Sequence, residues 1–133
     1  MSWWRRKQTE VSNKTPLCFK SNRDAFDYAC QYLNSKLAVG SSIPALVVGV
    51  VSDSEGMDEL VVQIAGSPPP ETIIVFCPTK LKVQKDDFIA LRIMASRPFP
   101  PGPFCVPECI LKPEYSFMHG GWIAERVLFP QKA

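Results

Sequence analysis

The stretch SIPALVVGVVSDSEGMDELVVQIA (42–65) decides the fold. Two runs rich in valine and isoleucine, 43–52 and 59–65, flank the polar turn Asp53-Ser54-Glu55-Gly56. β-Branched side chains are crowded in a helix and pack well on a pleated strand, so both runs favour extended backbone. The glycine between them tolerates the positive φ that a hairpin turn demands. The two runs are therefore predicted to pair as antiparallel strands. Pro44 and Gly49 interrupt the first run, and it is far shorter than the roughly 20 apolar residues that span a bilayer, so no transmembrane helix is expected.

Downstream the same alternation recurs between breaks. Pro68, Pro69 and Pro70 end the second strand because proline cannot donate to a ladder, and ETIIVFC (71–77) supplies a third. In 88–95, Phe88, Ala90, Arg92 and Met94 alternate with Ile89, Leu91 and Ile93, the period of a strand with two distinct faces. Its lead-in, KLKVQKDDFI (80–89), resembles strand entries in small barrels of the OB and SH3-like kind, with Lys85 where those entries usually carry glycine. Two last strands are predicted at 104–111, where Pro107 implies an edge, and at 122–129 after Gly120 and Gly121.

Upstream the period changes to that of a helix. Ser21 offers an oxygen to a helix start and Asp24 follows three residues on, a variant of the capping box. Phe26, Ala29 or Cys30, Leu33 and Leu37 then recur at three- and four-residue steps, and Gly40 with Ser41 and Ser42 ends the pattern. One helix followed by short strands at regular spacing gives a mainly β (α+β) domain. The expectation is an N-terminal helix packed on a five- to six-stranded, mostly antiparallel small barrel, OB-like or SH3-like. A βαβ arrangement would need more helices. Residues 21–130 are read as this single β-barrel-like domain, and residues 1–20 as a flexible or peripheral arm.

With 133 residues, 46% hydrophobic, 11% aromatic and 21% charged, the chain suits one folded core and lies far from the composition of disorder. Charge is uneven. Residues 1–23 carry six basic groups against Glu10, a net of +5, whereas the remainder carries nine basic and twelve acidic groups, a net of −3. Attraction to phosphates or anionic lipid should then reside in the N-terminal arm. Cys18, Cys30, Cys77, Cys105 and Cys109 are odd in number and scattered, which fits reduced thiols in the cytoplasm better than a disulfide framework. No apolar signal-peptide core follows Trp3, Trp4, Arg5, Arg6 and Lys7.

Those five residues combine stacking surfaces with cations and form the best candidate contact with a partner outside the fold. A second candidate is RPFPPGP (97–103), in which Arg97, Pro100 and Pro103 fall on one face of a polyproline helix, although so short a pattern reads first as a stiff connection between strands. Asp53, Glu55, Asp58 and Glu59 crowd one turn without the alternation or bidentate glutamate of a calcium loop. Cys105, Cys109 and His119 fall short of a zinc ligand set, so neither metal nor cofactor is expected. No motif assigns acid, base and nucleophile, which makes catalysis, for instance by Asp86 or Asp87 with Glu125, the third reading. The first is a noncatalytic binding or assembly module for a protein partner, with Phe99, Phe104, Phe117, Trp122 and Phe129 leaving room for an exposed patch and a homodimer. The alternative is an OB-like single-stranded nucleic-acid binder, with Lys80, Lys82, Lys85 and Arg92 near the phosphates.

Overall fold

A computed structural model describes residues 16–33, 38–52, 55–65, 71–98 and 101–127. Helix α1 (Asn22–Tyr32) begins as the capping pattern predicts: Ser21 is extended, and its Oγ accepts the Asp24 backbone N–H at 3.2 Å. The helix stops at Tyr32, short of the predicted stripe, because Leu33 turns extended (φ −104°, ψ 134°); Leu37 lies outside the described residues.

The strands are β1 (Leu17–Cys18), β2 (Ser42–Ser52), β3 (Met57–Ile64), β4 (Glu71–Pro78), β5 (Phe88–Pro98), β6 (Pro101–Ser116) and β7 (Gly121–Val127). They form one antiparallel sheet in the order β1-β6-β5-β2-β3-β4, with β7 also paired to β6. The predicted β2–β3 hairpin is present, with Gly56 at φ +85° in its turn. Seven strands replace the five or six expected. The addition is β1, too short for any periodicity to register.

The expected barrel is not closed by hydrogen bonds among the described residues. Strand β4 comes within 8 Å of β6 between Cα atoms, yet no ladder joins them. Nor is β6 an edge. Its first half pairs with β5 and its second half with β7, and β1 continues beside it where β5 has ended. Pro107 is accommodated because it lies at a bulge and in the half of β6 that is laddered on the β5 side alone: Ala90 pairs with Cys109 but Leu91 with Pro107, so Glu108 is the extra residue.

The sheet buries both of its faces around β2 and β5. Ile43, Ala45, Val47, Ile89, Leu91 and Ile93 point into one cluster with Leu60, Val62, Val75 and Cys77. Leu46, Phe88 and Ala90 point the other way, against Ala25, Phe26 and Ala29 of α1. That double burial explains why 43–47 reads as continuous apolar sequence. Each fully buried Phe, Ile or Leu here contributes on the order of 1.5–3 kcal/mol.

Candidate functional site

Two surfaces stand out, and both lie on the side of the sheet that carries the helix. The first is a cleft of about 550 Å³ between the end of α1, the start of β2 and the β6–β7 hairpin. Leu33, Ile43 and Pro44 form one wall, Tyr115, Trp122 and Ala124 the other, and Ala90, Cys109 and Leu111 also line it. The hairpin that carries the second wall turns through residues 117–120, where Gly120 takes φ +63°. Ser116 pins that turn: its hydroxyl lies 2.9 Å from His119 Nδ1 and accepts the His119 backbone N–H at 3.4 Å.

Aromatic rings brace this wall. Trp122 meets Phe88 edge-on (4.8 Å, 83°) and Tyr115 edge-on (5.3 Å, 81°), with Phe19 at 5.5 Å on a further side. The Trp122 indole N–H is buried with no hydrogen-bond partner among the described residues.

At the rim the bulged Glu108 accepts the Ser42 hydroxyl at 2.7 Å and pairs with Arg92, whose guanidinium also donates to the Gly40 carbonyl at 3.2 Å. The Ser42 oxygen is therefore held by a carboxylate that is itself neutralised. Burial, and then the charge of Glu108, push the Cys109 thiol up from its ordinary value. It stays protonated near neutral pH and is a poor nucleophile. Among the described residues no Asp, Glu, Lys, Arg or His side chain lines the cleft. Its walls are suited to binding.

The chain matches no family model, no curated protein and no solved structure at a significant level.

The second surface is the half of the same sheet face that α1 leaves uncovered. Arg23 of the helix donates to Gln63 Oε1 at 3.5 Å, which places Gln63 on the helix side of β3. Alternation puts Val61 and Glu59 on that side too, and the register sets Ile74 opposite Val61 and Phe76 opposite Glu59. Val51 pairs with Glu59 from the β2 side. Val51, Ile74 and Phe76 are each more than half exposed, at 55%, 52% and 52%. Strand β4 is paired only to β3 among the described residues.

Of the residues singled out in the sequence, Trp3, Trp4, Arg5, Arg6, Lys7 and Pro100 lie outside the described residues. Arg97 pairs with Gly102 and Pro98 with Pro101 at the tip of the β5–β6 hairpin, and Pro103 is buried. Lys80, Lys82 and Lys85 are exposed together in the β4–β5 connection, whereas Arg92 sits along β5 in its pair with Glu108. The structure thus gathers three of the four cations and engages the fourth elsewhere. Asp58, from the acidic turn, is buried and accepts the Thr79 hydroxyl at 2.8 Å, tying β3 to the short 3-10 turn Thr79–Leu81.

Neither surface was found by motif. The pair Gly120-Gly121 ahead of Trp122 was the only local mark of the cleft, and the alternation Thr72, Ile74, Phe76 the only mark of the strip.

Proposed function

We propose that the protein is a noncatalytic assembly module that docks a protein surface, in the first instance a second copy of itself, through the uncovered half of its outer sheet face. The observation that carries this reading is the pair Ile74 and Phe76, half exposed side by side on an outer strand and continued by Val61 and Val51. A contiguous apolar strip in water is costly, and covering it recovers about 25 cal/mol per Å². The sequence of β4, Glu-Thr-Ile-Ile-Val-Phe-Cys-Pro, has no lysine and no proline before Pro78, the residues that commonly protect such strands from association. A two-fold contact sets the same strip on both sides, so Ile74 and Phe76 of one copy can cover those of the other, with Glu59 between Val51 and Phe76.

The body is read as an OB-like barrel. In support, the long β2 splits its ladder between β5 and β3, and β4 leans toward β6 as if to close a five-stranded ring. All five cysteines are thiols with no disulfide among them, which supports a reducing compartment such as the cytoplasm. The basic, aromatic arm and Arg97 at its hairpin tip remain further candidate contacts of the same module.

Sedimentation velocity tests self-association. The wild type is expected to dissociate from dimer to monomer on dilution, and Phe76→Glu to be monomeric throughout, with the same denaturation midpoint as the wild type at dilutions where the wild type is also monomeric. A wild type that stays monomeric at its highest soluble concentration overturns the proposal. One observation favours the second reading, single-stranded nucleic-acid binding: Lys80, Lys82 and Lys85 share one exposed loop.

A further inference from the structure

We propose that the cleft between the end of α1 and the β6–β7 hairpin binds a small, uncharged, ring-containing molecule, an activity separate from docking through the β3–β4 face. The volume of about 550 Å³ lies within the roughly 300–1,000 Å³ of small-molecule sites. The apolar part of the lining gives water few hydrogen-bond partners, so displacing water from that part is favourable.

The charge of the occupant follows from the walls. Among the described residues no ionised side chain lines the cleft, the ion pair of Arg92 with Glu108 satisfies itself at the rim, and the Cys109 thiol is held protonated. A charged ligand would shed its hydration and gain no partner, which costs several kcal/mol. A peptide backbone would bring donors and acceptors in equal number. The side chains here offer it little beyond Tyr115, because Ser42 already donates to Glu108.

The shape of the occupant follows from the rings. Tyr115 and Trp122 stand edge to face at 5.3 Å, and a flat ring extends that array, since aromatic pairs prefer offset and edge-on contacts. The exposed apolar side chains of Tyr32 beside Leu33, and of Phe117 and Met118 ahead of Gly120, extend the apolar surface beyond the lining residues on both sides.

The probe is N-phenyl-1-naphthylamine, a neutral two-ring fluorophore, titrated against the full chain alongside its anionic relative 8-anilinonaphthalene-1-sulfonate. Saturable binding of the neutral probe at one site per chain is expected, with weaker binding of the anion. Ala124 is exposed, lies opposite Leu111 and shares the face of Trp122, so Ala124→Trp fills the cleft from its open side. That variant is expected to weaken the probe by about tenfold or more. Phe76→Glu, on the other surface, is expected to leave it unchanged. Should Ala124→Trp fold poorly, Leu33→Ala, which strips the opposite wall, is expected to weaken binding in the same direction. Methyl NMR shifts on titration should centre on Leu33, Leu111 and Ala124. No saturable binding of the neutral probe, binding indifferent to both cleft variants, or equal affinity for the anion overturns the proposal.

Discussion

Cys77 sits on the inner side of β4 directly opposite Asp58 of β3, and its surroundings set its chemistry. Burial first, and the nearby Asp58 charge second, push its thiol up to about 11 from an ordinary value of 9.0. The folded chain thus holds this proton more tightly than the unfolded one. Its contribution to stability is complete below pH 9 and is lost as pH rises toward 11, where the unfolded thiol ionises and the folded one does not. The urea midpoint is expected to fall across that window, and less steeply in Cys77→Ala. An identical slope in the variant would place the proton uptake elsewhere, for instance on Cys30, Cys109 or Tyr28, which burial raises as well. Another single residue explains a departure from pattern. The lead-in to β5 carries Lys85 where small barrels usually place glycine, and the left-handed backbone falls on the next residue, Asp86, at φ +74°. Aspartate tolerates that region better than most side chains, and the conformation lets its backbone N–H donate to the Val47 carbonyl at 2.7 Å while its own carbonyl accepts Asn22 Nδ2.

Among the elements, α1 was legible because cap and stripe agreed. An isolated helix of this length is marginal in water, so packing and not propensity holds it. Ser21→Ala removes one capping bond and is expected to cost about 1 kcal/mol, whereas Phe26→Ala leaves a cavity against Leu46 and Phe88 and is expected to cost about 3–5 kcal/mol. Equal losses in urea denaturation would mean that the helix does not lean on the sheet. The extent of the helix also decides what is left bare. The helix lies against β2, β5 and β6 and reaches β3 through the Arg23 side chain at Gln63. Nothing in ETIIVFC announces this. Ile73, Ile74, Val75 and Phe76 read like the doubly buried β2, and only the reach of a distant helix makes Ile74 and Phe76 surface residues.

At the scale of the whole molecule the distribution of charge weighs on the nucleic-acid reading. Beyond residue 23 the chain is net −3, and Arg92 is already spent on Glu108, so Lys80, Lys82 and Lys85 act alone in an acidic field. Counterion release favours binding most at low salt. If the nucleic-acid reading holds, single-stranded oligonucleotides will shift the protein at low salt, and triple substitution of these lysines by glutamine will abolish the shift. Absence of any shift under those conditions removes the reading. The two surfaces described above respond independently, since Phe76 lies on β4 and the cleft is built from α1, β2, β5, β6 and β7.

Local sequence marked the helix and six of the seven strands, but it carried no sign of β1 and placed the start of β6 at 104 instead of Pro101. Side-chain crowding, proline's missing donor and a capping hydroxyl act within a few residues, and the β2–β3 hairpin and the Ser21 cap follow from them. Tertiary structure alone decided that β6 pairs on both sides, that Glu108 bulges toward Ser42 and Arg92, and that the sheet curls without closing its ladder. It also decided both candidate surfaces. Tyr115 and Trp122 meet Leu33 and Pro44 across a cleft only because strands distant in sequence lie side by side, and long-range pairing leaves no periodic trace in either partner.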